Sequence, residues 1–333
     1  MRIKNSKFTK TVPVKRLDGT GTGVGGGQIR IPLKKESLMA ELQVRMQASQ
    51  IYGTNFPSSS DVRRFMTHVS IETSDGRRAF LTGYQVVDLA KITETYPSVP
   101  VTTGTSGGAS GGVASTADFQ FTIKHINDGA TGDMLAAIPA GKLTTFDLVI
   151  DLAADANNGF IGGTGTIGVT SYTATARSVG YPDMLLDASG NVQSFVGTLR
   201  HIAESQVVQS TAGAGTSFDV RLTSGCLTRF LLLHTFDNTG AAPALSDSVV
   251  NNIRVVINGA EKHISTFLED RKSNTKERNY NYTGSIIVDF GDDEAGWLDL
   301  RGVAEPKLTF DVAGAPPANW IVTVAQDYSV RMK

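Results

Sequence analysis

The stretch from residue 253 to residue 264 reads Ile253-Arg254-Val255-Val256-Ile257-Asn258-Gly259-Ala260-Glu261-Lys262-His263-Ile264. A similar stretch earlier in the chain reads Val69-Ser70-Ile71-Glu72-Thr73-Ser74-Asp75-Gly76-Arg77-Arg78-Ala79-Phe80-Leu81. In each, an Asn-Gly or Asp-Gly pair separates two strand-like segments. These pairs suit tight hairpins, because both central residues of a type I′ turn need a positive φ, which Gly, Asn and Asp tolerate best. Both stretches are therefore predicted to form strand, turn and strand.

A capping box follows each hairpin. It pairs Thr82 with Gln85 in the first copy and Thr266 with Glu269 in the second. In such a box the Thr hydroxyl accepts a hydrogen bond from a backbone N–H of the first helical turn, while the later side chain reaches back to the backbone of the Thr. Each hairpin is therefore predicted to lead into a short helix.

The repeat continues beyond the helix. In the first half, the segment Lys142-Leu143-Thr144-Thr145-Phe146-Asp147 matches Lys307-Leu308-Thr309-Phe310-Asp311 in the second. The two hairpins lie farther apart in the chain than these two segments do, so the first copy has about 18 extra residues between its helix and its later strands. An internal repeat of this kind predicts two copies of one domain joined end to end.

The extra residues coincide with a change in composition. A Gly/Ser-rich insert at residues 93–117 contains Thr102-Thr103-Gly104-Thr105-Ser106-Gly107-Gly108-Ala109-Ser110-Gly111-Gly112, which is typical of a loop. At 333 residues the chain is long enough for two domains of ordinary size. We place the first domain at residues 1–190, including the insert, and the second at residues 191–333.

Short strand-like segments make up most of the remaining sequence. The chain has 35 glycines, and only 19% of its residues are charged, as expected for many strands joined by turns. About eight strands are predicted in each copy, and no regular alternation with long helices indicates a parallel sheet. The predicted fold class is all-β: two tandem eight-stranded jelly rolls, each with a short helix.

Two parts of this strand assignment leave room for alternatives. Residues 38–46 alternate polar and apolar side chains like a strand, but a short helix also fits them, and the repeat favours the strand. Residues 177–216 are predicted to be a connection between the copies, with one strand-like stretch at residues 203–209.

Composition excludes several classes of function. The formal net charge of −1 gives no general electrostatic case for nucleic-acid binding. A single cysteine, Cys226, excludes an intrachain disulfide framework and is expected to be a buried core residue. No apolar segment is long enough to span a bilayer, and the N-terminus lacks the apolar core of a signal peptide. We expect a soluble protein without a cofactor.

Three glycine-rich strings match known motifs but not the structural context that the motifs need. The dinucleotide fingerprint G-x-G-x-x-G occurs at residues 21–26 and 163–168, but it requires a strand before it and a helix after it, whereas strands are predicted to follow both. The string G-x-S-x-G around Ser106 lies in a low-complexity loop rather than on a strand-to-helix turn. None is expected to be a nucleotide or catalytic site.

Metal ligands and catalytic groups are sparse in the sequence. The five histidines are isolated, without the spacing that would place two imidazoles on one metal ion: His68, His125, His201, His234 and His263. An acidic cluster contains Asp289, Asp292, Asp293 and Glu294. The oxygens of this cluster could hold calcium, but Asp is also an ordinary turn residue, so both interpretations stay open. The sequence predicts no enzyme activity and no firm metal site.

The N-terminus is strongly basic. Its cations precede the first acidic residue, Asp18, and include Arg2, Lys4, Lys7 and Lys10. These side chains could contact phosphate groups on lipid or nucleic acid. A basic edge strand or a solvated arm is the alternative interpretation.

The sequence resembles the double jelly-roll major capsid proteins of tailless icosahedral bacteriophages, of the corticovirus type, with the tectivirus and finnlakevirus types as relatives. The residues behind the resemblance are Ile253-Arg254-Val255-Val256-Ile257-Asn258-Gly259 followed by Thr266-Phe267-Leu268-Glu269. In that family an I-x-x-x-I-N-G hairpin leading into a short helix recurs in each half. Ser74-Asp75-Gly76 is the weaker counterpart in this chain.

The resemblance implies a structural role in a virion made in the host cytoplasm. Three copies would form a homotrimer with a pseudo-hexagonal outline, and many trimers would tile an icosahedral shell around an internal membrane and genome. The partners implied are neighbouring capsomers, penton or minor capsid proteins and membrane lipids, without specific nucleic-acid recognition. The basic residues Arg2, Lys4, Lys7 and Lys10 would then face inward.

Other classes of protein also use tandem jelly rolls. A carbohydrate-binding protein or a glycan-cleaving enzyme is one alternative, although sugar binding usually relies on exposed aromatic platforms and this chain has only Trp297 and Trp320. A phage spike or fibre protein is the nearer alternative.

Overall fold

The computed structural model describes residues 14–35, 38–52, 59–93, 101–104, 113–125, 137–154, 160–161, 168–181, 199–240, 242–291 and 297–331. The chain divides into two compact units: Met1–Arg200 with Met332–Lys333, and His201–Arg331. The predicted boundary at residue 190 lies outside the described residues and stays a prediction. Most of the predicted insert, at residues 94–100 and 105–112, also lies outside them.

The first unit contains twelve strands and one helix among its described residues. The strands are β1 (Val14–Gly23), β2 (Gln28–Pro32), β3 (Leu38–Tyr52), β4 (Ser59–Ser60), β5 (Met66–Thr73), β6 (Gly76–Thr82), β7 (Val101–Gly104), β8 (Val113–Lys124), β9 (Ile138–Pro139), β10 (Phe146–Leu152), β11 (Phe160–Ile161) and β12 (Gly168–Tyr181). The helix α1 (Gly83–Thr93) follows β6, and short 3-10 turns lie at Val62–Phe65 and Ala140–Lys142.

The long strands of this unit form two sheets. One has the order β1-β12-β3-β8, extended by β7 and by β9 beside β3, and the other has the order β2-β10-β5-β6. If the eight long strands are counted along the chain, the first sheet has the order one, eight, three, six and the second has two, seven, four, five. This is the strand order of an eight-stranded jelly roll with two four-stranded sheets.

The second unit repeats this arrangement. Its strands are β13 (Leu199–Ser210), β14 (Ser217–Arg221), β15 (Leu227–Asp237), β16 (Ala244–Leu245), β17 (Val250–Ile257), β18 (Ala260–Thr266), β19 (Ser285–Asp289), β20 (Leu298–Asp299), β21 (Lys307–Val312) and β22 (Trp320–Arg331), with α2 (Phe267–Arg278) after β18. The sheets have the orders β13-β22-β15-β19 and β14-β21-β17-β18. The order along the chain is the same as in the first unit, so the predicted tandem jelly rolls are confirmed.

Alternation of side chains places the core between the two sheets of each unit. In β3, Leu42 and Val44 are fully buried, whereas the intervening Gln43 is partly exposed. This period of two is the geometry of a strand with one face in the core. It settles the predicted choice between strand and helix at residues 38–46 in favour of the strand. In the second unit the core includes Ile253, Val255, Phe310, Trp320 and Val322.

The glycine-rich run after residue 19 begins in β1, at an edge of the first unit where its two sheets approach each other closely. A Cβ atom on Gly21 would lie 2.6 Å from Cγ2 of Ile29, and one on Gly23 would lie 2.6 Å from Cδ1 of Leu152. These glycines therefore remove side-chain volume where β1 meets the neighbouring sheet. The string at residues 21–26 lies in β1 and in the turn before β2, which confirms that it lacks the helix of a dinucleotide site.

Two strand boundaries differ from the prediction. Strand β12 continues to Tyr181, so residues 177–181 are strand rather than connection. The predicted stretch at residues 203–209 lies in β13, the first strand of the second jelly roll. The first difference arises because Gly180 suggests a turn, whereas it pairs with Met39 inside a long ladder. The strand-like prediction for residues 203–209 is confirmed, and the strand is longer than predicted.

The match between residues 142–147 and 307–311 identifies the correct strands in the wrong register. Asp311 pairs with Ser217, the first residue of β14, and the residue that pairs with Gln28, the first of β2, is Asp151. Asp151 is therefore the counterpart of Asp311, four positions beyond the predicted Asp147. A shift by an even number keeps each side chain on the same face of the sheet, so the local pattern alone does not reveal it.

We predict that Gly83→Ala destabilises the protein. A Cβ atom at Gly83, the first residue of α1, would clash with the carbonyl oxygens of Arg63 and Met66. These are backbone atoms, so relieving the clash requires a costly shift of the main chain. We expect a loss of about 1–3 kcal/mol in the free energy of unfolding, measured by urea denaturation. Gly213→Ala is the control, because its Cβ would enter open space. Equal stability of the two variants would contradict the predicted clash.

Candidate functional site

Both units carry a hairpin and a helix at the same place in the fold, formed by the fourth and fifth long strands and the helix after them. In the second unit Asn258 and Gly259 have φ values of 49° and 78°, as a type I′ turn requires. In the first unit the turn residues are Ser74 and Asp75, whereas Gly76, with a φ of 118°, already pairs with Thr73. The predicted type I′ turn at Asp75-Gly76 is therefore wrong, because the glycine belongs to the strand.

The two hairpins share a β-bulge. In the first, Ile71 pairs with Ala79 and the next residue pairs with Arg77, which leaves Arg78 as the extra residue. In the second, the extra residue is Lys262. Because the bulge lies at the same position, each residue of the first hairpin and helix has a defined counterpart in the second.

The predicted capping boxes are both present. In the first unit the backbone N–H of Thr82 donates to Oε1 of Gln85 at 3.0 Å, and the N–H of Gln85 donates to the Thr82 hydroxyl at 3.3 Å. In the second unit the same pair of bonds joins Thr266 and Glu269 at 3.0 and 3.2 Å. The caps fix the point at which each hairpin becomes a helix.

The contact between hairpin and helix has changed character between the copies. In the first unit it is apolar and buried, and it involves Ala79, Leu81 and Val86. Their counterparts are His263, Ser265 and Asp270, whose side chains are hydrogen-bonded to one another. Nε2 of His263 lies 3.0 Å from Oδ2 of Asp270 and 2.9 Å from Oγ of Ser265. A polar cluster thus joins β18 to α2 where apolar packing joins β6 to α1.

This cluster contains the residue types of a Ser-His-Asp triad but not its geometry. In a triad one ring nitrogen faces the serine and the other faces the aspartate, so that a proton can pass from the serine to the ring. Here the same nitrogen of His263 contacts both partners, and the hydroxyl of Ser265 donates to Asp270. The serine is therefore not activated as a nucleophile, and the cluster serves to attach the helix.

Polar side chains cover the outer face of the second sheet in both units. In the second unit Asp311 accepts hydrogen bonds from Ser217 Oγ at 2.6 Å and from Arg254 at 3.0 Å. Asp219 accepts from Lys307 Nζ at 2.6 Å and from Thr309 Oγ1 at 2.6 Å. These donors lower the pKa of both carboxyl groups, with Ser217 the main cause at Asp311 and Lys307 the main cause at Asp219.

The first unit has an equivalent set of contacts. Arg30 donates to Asp147 at 2.7 Å and to Glu72 at 2.8 Å, and Gln28 donates to Asp151 at 2.7 Å. Long-range pairs of this kind join neighbouring strands. The outer sheet faces therefore offer ordered polar surfaces in both units.

The structure places the single thiol in the core. Cys226 is fully buried, and its S–H donates to the carbonyl oxygen of Thr223 at 3.0 Å. Burial raises the pKa of this thiol to about 11. The prediction of a buried core cysteine is confirmed.

The described histidines are scattered over the fold. The rings of His125 and His234 are buried, and His68 stacks on Phe80 with a centroid distance of 4.9 Å. Within the described residues, no group of three His, Cys, Asp or Glu side chains is placed to hold a metal ion. Asp289 forms an ion pair with Arg278. The rest of the acidic cluster lies outside the described residues, and its calcium interpretation stays a prediction: Asp292, Asp293 and Glu294.

Several other predicted features fall outside the described part of the chain. They are the basic residues Arg2, Lys4, Lys7 and Lys10, the loop containing Ser106, and most of the glycine string at residues 163–168. Trp297 and Trp320 are described and buried, at 9% and 0% exposure. In the described ranges no helix is long and apolar enough to cross a membrane.

Solved structures show where this fold occurs. The chain is similar to the MCP of STIV, with a TM-score of 0.72 and 14% identity over 96% of this chain and 97% of that one. It is also similar to the major capsid protein P2 from bacteriophage PM2, with a TM-score of 0.60 and 10% identity over 97% and 98%. The Faustovirus major capsid protein gives a TM-score of 0.60 and 8% identity over 100% and 93%.

These likenesses extend over the whole chain at low sequence identity, so they establish the fold. The chain is a double jelly roll, and structures with this fold include the major capsid proteins of several viruses. No protein-family model matches the sequence, and a search of curated proteins gives no match either.

We predict that Asp219 and Asp311 stabilise the second unit in a pH-dependent way. Because folding lowers their pKa values, the stability that they confer is present above the unfolded value of about 3.9 and is lost as the pH falls through the lower folded values. The double variant D219N/D311N should be about 1 kcal/mol less stable than the wild type at pH 6. This difference in unfolding free energy should shrink as the pH falls below the unfolded value.

Urea denaturation at several pH values between 2 and 6 measures the difference. Glu305→Gln is the matched control, because it removes an exposed carboxyl group outside the hydrogen-bonded set around Asp219 and Asp311. A stability difference for D219N/D311N that is the same at pH 2 and pH 6 would show that the carboxylates do not act through their charge.

Proposed function

We propose that this chain is the major capsid protein of an icosahedral virus. The observation that supports the proposal is the repeated strand order, in which one chain builds the same jelly roll twice. The full-length likeness to major capsid proteins of different viruses adds to it. Coat function is structural, so the proposed role needs no catalytic centre.

A tandem repeat suits the geometry of a closed shell. Three copies of the chain would place six jelly rolls in a ring, so a threefold assembly would have a pseudo-hexagonal outline. Six similar edges allow one protein to occupy nearly sixfold positions in a lattice. We propose this homotrimer as the capsomer, with neighbouring capsomers and penton or minor capsid proteins as its further partners in the virion.

The basic N-terminus has a proposed role on the inner side of the shell. Arg2, Lys4, Lys7 and Lys10 carry four positive charges that can bind phosphate. We propose that they contact lipid headgroups of an internal membrane, without recognising a nucleic-acid sequence. Residues 93–117 are proposed to lie on the outer surface, and synthesis is proposed to take place in the host cytoplasm.

The alternative functions receive less support from the structure. A sugar-binding jelly roll usually offers exposed aromatic platforms, whereas both tryptophans of this chain are buried. A spike or fibre protein also forms trimers, so it differs from a capsid protein in whether the trimers tile.

We predict that the purified protein forms a trimer. Light scattering coupled to size exclusion should give three times 35.4 kDa, and negative-stain images should show hexagonal outlines that pack side by side at high concentration. A monomer under all conditions would contradict the proposed function. Trimers that never form a sheet or shell would favour the spike alternative.

We also predict that the basic residues are needed for binding to anionic membranes. The full-length variant R2Q/K4Q/K7Q/K10Q should bind vesicles containing phosphatidylserine at least about tenfold more weakly than the wild type, because each cation near such a surface contributes roughly 1 kcal/mol. Vesicle flotation measures this binding. K272Q/K276Q, which removes two exposed cations of α2, is the control. Equal binding by all three proteins would contradict the proposed role.

A further inference from the structure

The outer side of the hairpin and helix is covered in the first unit. Phe80 and Tyr84 point away from the apolar contact that joins β6 to α1. The guanidinium of Arg77 lies 4.4 Å from the ring centroid of Phe80, and that of Arg63 lies 4.8 Å from the ring centroid of Tyr84. Cations over aromatic faces are favourable contacts that also shield the ring from water. Each of the two outer aromatic side chains of the first unit thus has an arginine over its ring.

The same two positions are open in the second unit. The counterparts of Phe80 and Tyr84 are Ile264 and Leu268, which are 61% and 54% exposed. The arginine at position 77 is replaced by Glu261 in the second unit. Asp247 takes the place of Arg63, because each lies three residues before the equivalent strand residues Met66 and Val250. A carboxylate does not cover an apolar side chain as the long stem and planar head of an arginine can.

The acid at position 247 is also engaged elsewhere. Asp247 forms an ion pair with Arg271 and accepts a hydrogen bond from the backbone N–H of Gly284 at 2.6 Å. In the first unit the corresponding tether has the opposite polarity, with Arg63 3.6 Å from Asp88 on α1. The helix is attached in both units, but the residue at this position is a cation only in the first unit.

The contact between hairpin and helix is therefore more polar in the second unit. Its inner side carries the hydrogen-bonded cluster of His263, Ser265 and Asp270 beside the buried Phe267, and its outer side carries Ile264 and Leu268. In a protein that acts alone, the apolar side chains would be expected on the inner side. Ile264, on the last strand of its sheet, and Leu268, on the helix that follows, together offer an apolar surface that another molecule can cover.

We propose that this surface, the β18–α2 patch formed by Ile264, Leu268 and the flanking Glu261 and Glu269, binds a second copy of the chain. The proposal rests on the proposed function and names the residues through which copies meet. Glu261 and Glu269 are exposed acids, and the exposed Lys262 and Lys272 lie beside them, so the patch suits a partner that offers apolar side chains beside charged ones.

A second copy offers this chemistry on its first strand. In β1, Leu17 is 54% exposed, and the exposed Lys15 lies on the same face of the strand. Leu17 beside Lys15 can meet Ile264 beside Glu261, because apolar groups then contact apolar groups and opposite charges face each other. A contact between unlike surfaces of identical chains is heterologous and can close into a ring.

A contact through the patch would occur once per chain. A ring of three chains then has three equivalent contacts of this kind.

The test is the self-association of I264T/L268Q. Thr keeps the branched side chain of a strand residue, and Gln keeps the helix propensity of Leu, so we expect an unchanged melting temperature. We expect self-association, measured by sedimentation velocity over a concentration series, to be roughly tenfold weaker or more than in the wild type. Val207→Thr is the control, because Val207 is a 55% exposed apolar residue of β13 outside the patch, and it should associate normally.

The outcomes separate this proposal from the proposed function. Self-association of I264T/L268Q at wild-type strength overturns the patch and leaves the capsid proposal standing. A wild-type protein that stays monomeric overturns both. A variant that associates normally but loses binding to phosphatidylserine vesicles assigns the patch to lipid, and so also overturns the contact with a second copy.

Discussion

Burial of one face of each sheet against the other is the constraint on which both units depend. A strand can meet it only if alternate side chains are apolar, as in β17, where Ile253 and Val255 are buried and Arg254 between them joins the outer polar ladder. The edge of the first unit has a further requirement, since β1 closes onto β2 only where glycines leave room for Ile29. In each unit the strand order lets all eight long strands bury one face against the opposite sheet.

Local chemistry made the hairpins and helices predictable. The Asn258-Gly259 turn and the two threonine caps depend on residues a few positions apart, so their signals are visible in the sequence. Strand pairing depends on distant residues, and so the register of Asp311 and the true extent of β12 were missed. The short glycine-containing segments before residue 181 looked like a connection, although a ladder with β3 holds them in a strand.

The candidate site was harder to predict, because its polar residues stand out only when they are compared with the equivalent residues of the other copy. His263, Ser265 and Asp270 do not form a recognisable motif. They become informative once the shared bulge shows that apolar Ala79, Leu81 and Val86 occupy the same places. A careful alignment of the repeats around Arg78 and Lys262 could have found this change. The two copies share one fold, but their side chains differ at the contact between hairpin and helix.

The buried thiol of Cys226 has a practical consequence for experiments. A thiol whose pKa is about 11 is almost entirely protonated at neutral pH, and the thiolate is the form that reacts. Maleimide reagents should therefore leave the native protein unmodified. A cysteine introduced on the surface can then be labelled alone, without first replacing the natural one, which makes fluorescence energy transfer between labelled copies directly accessible.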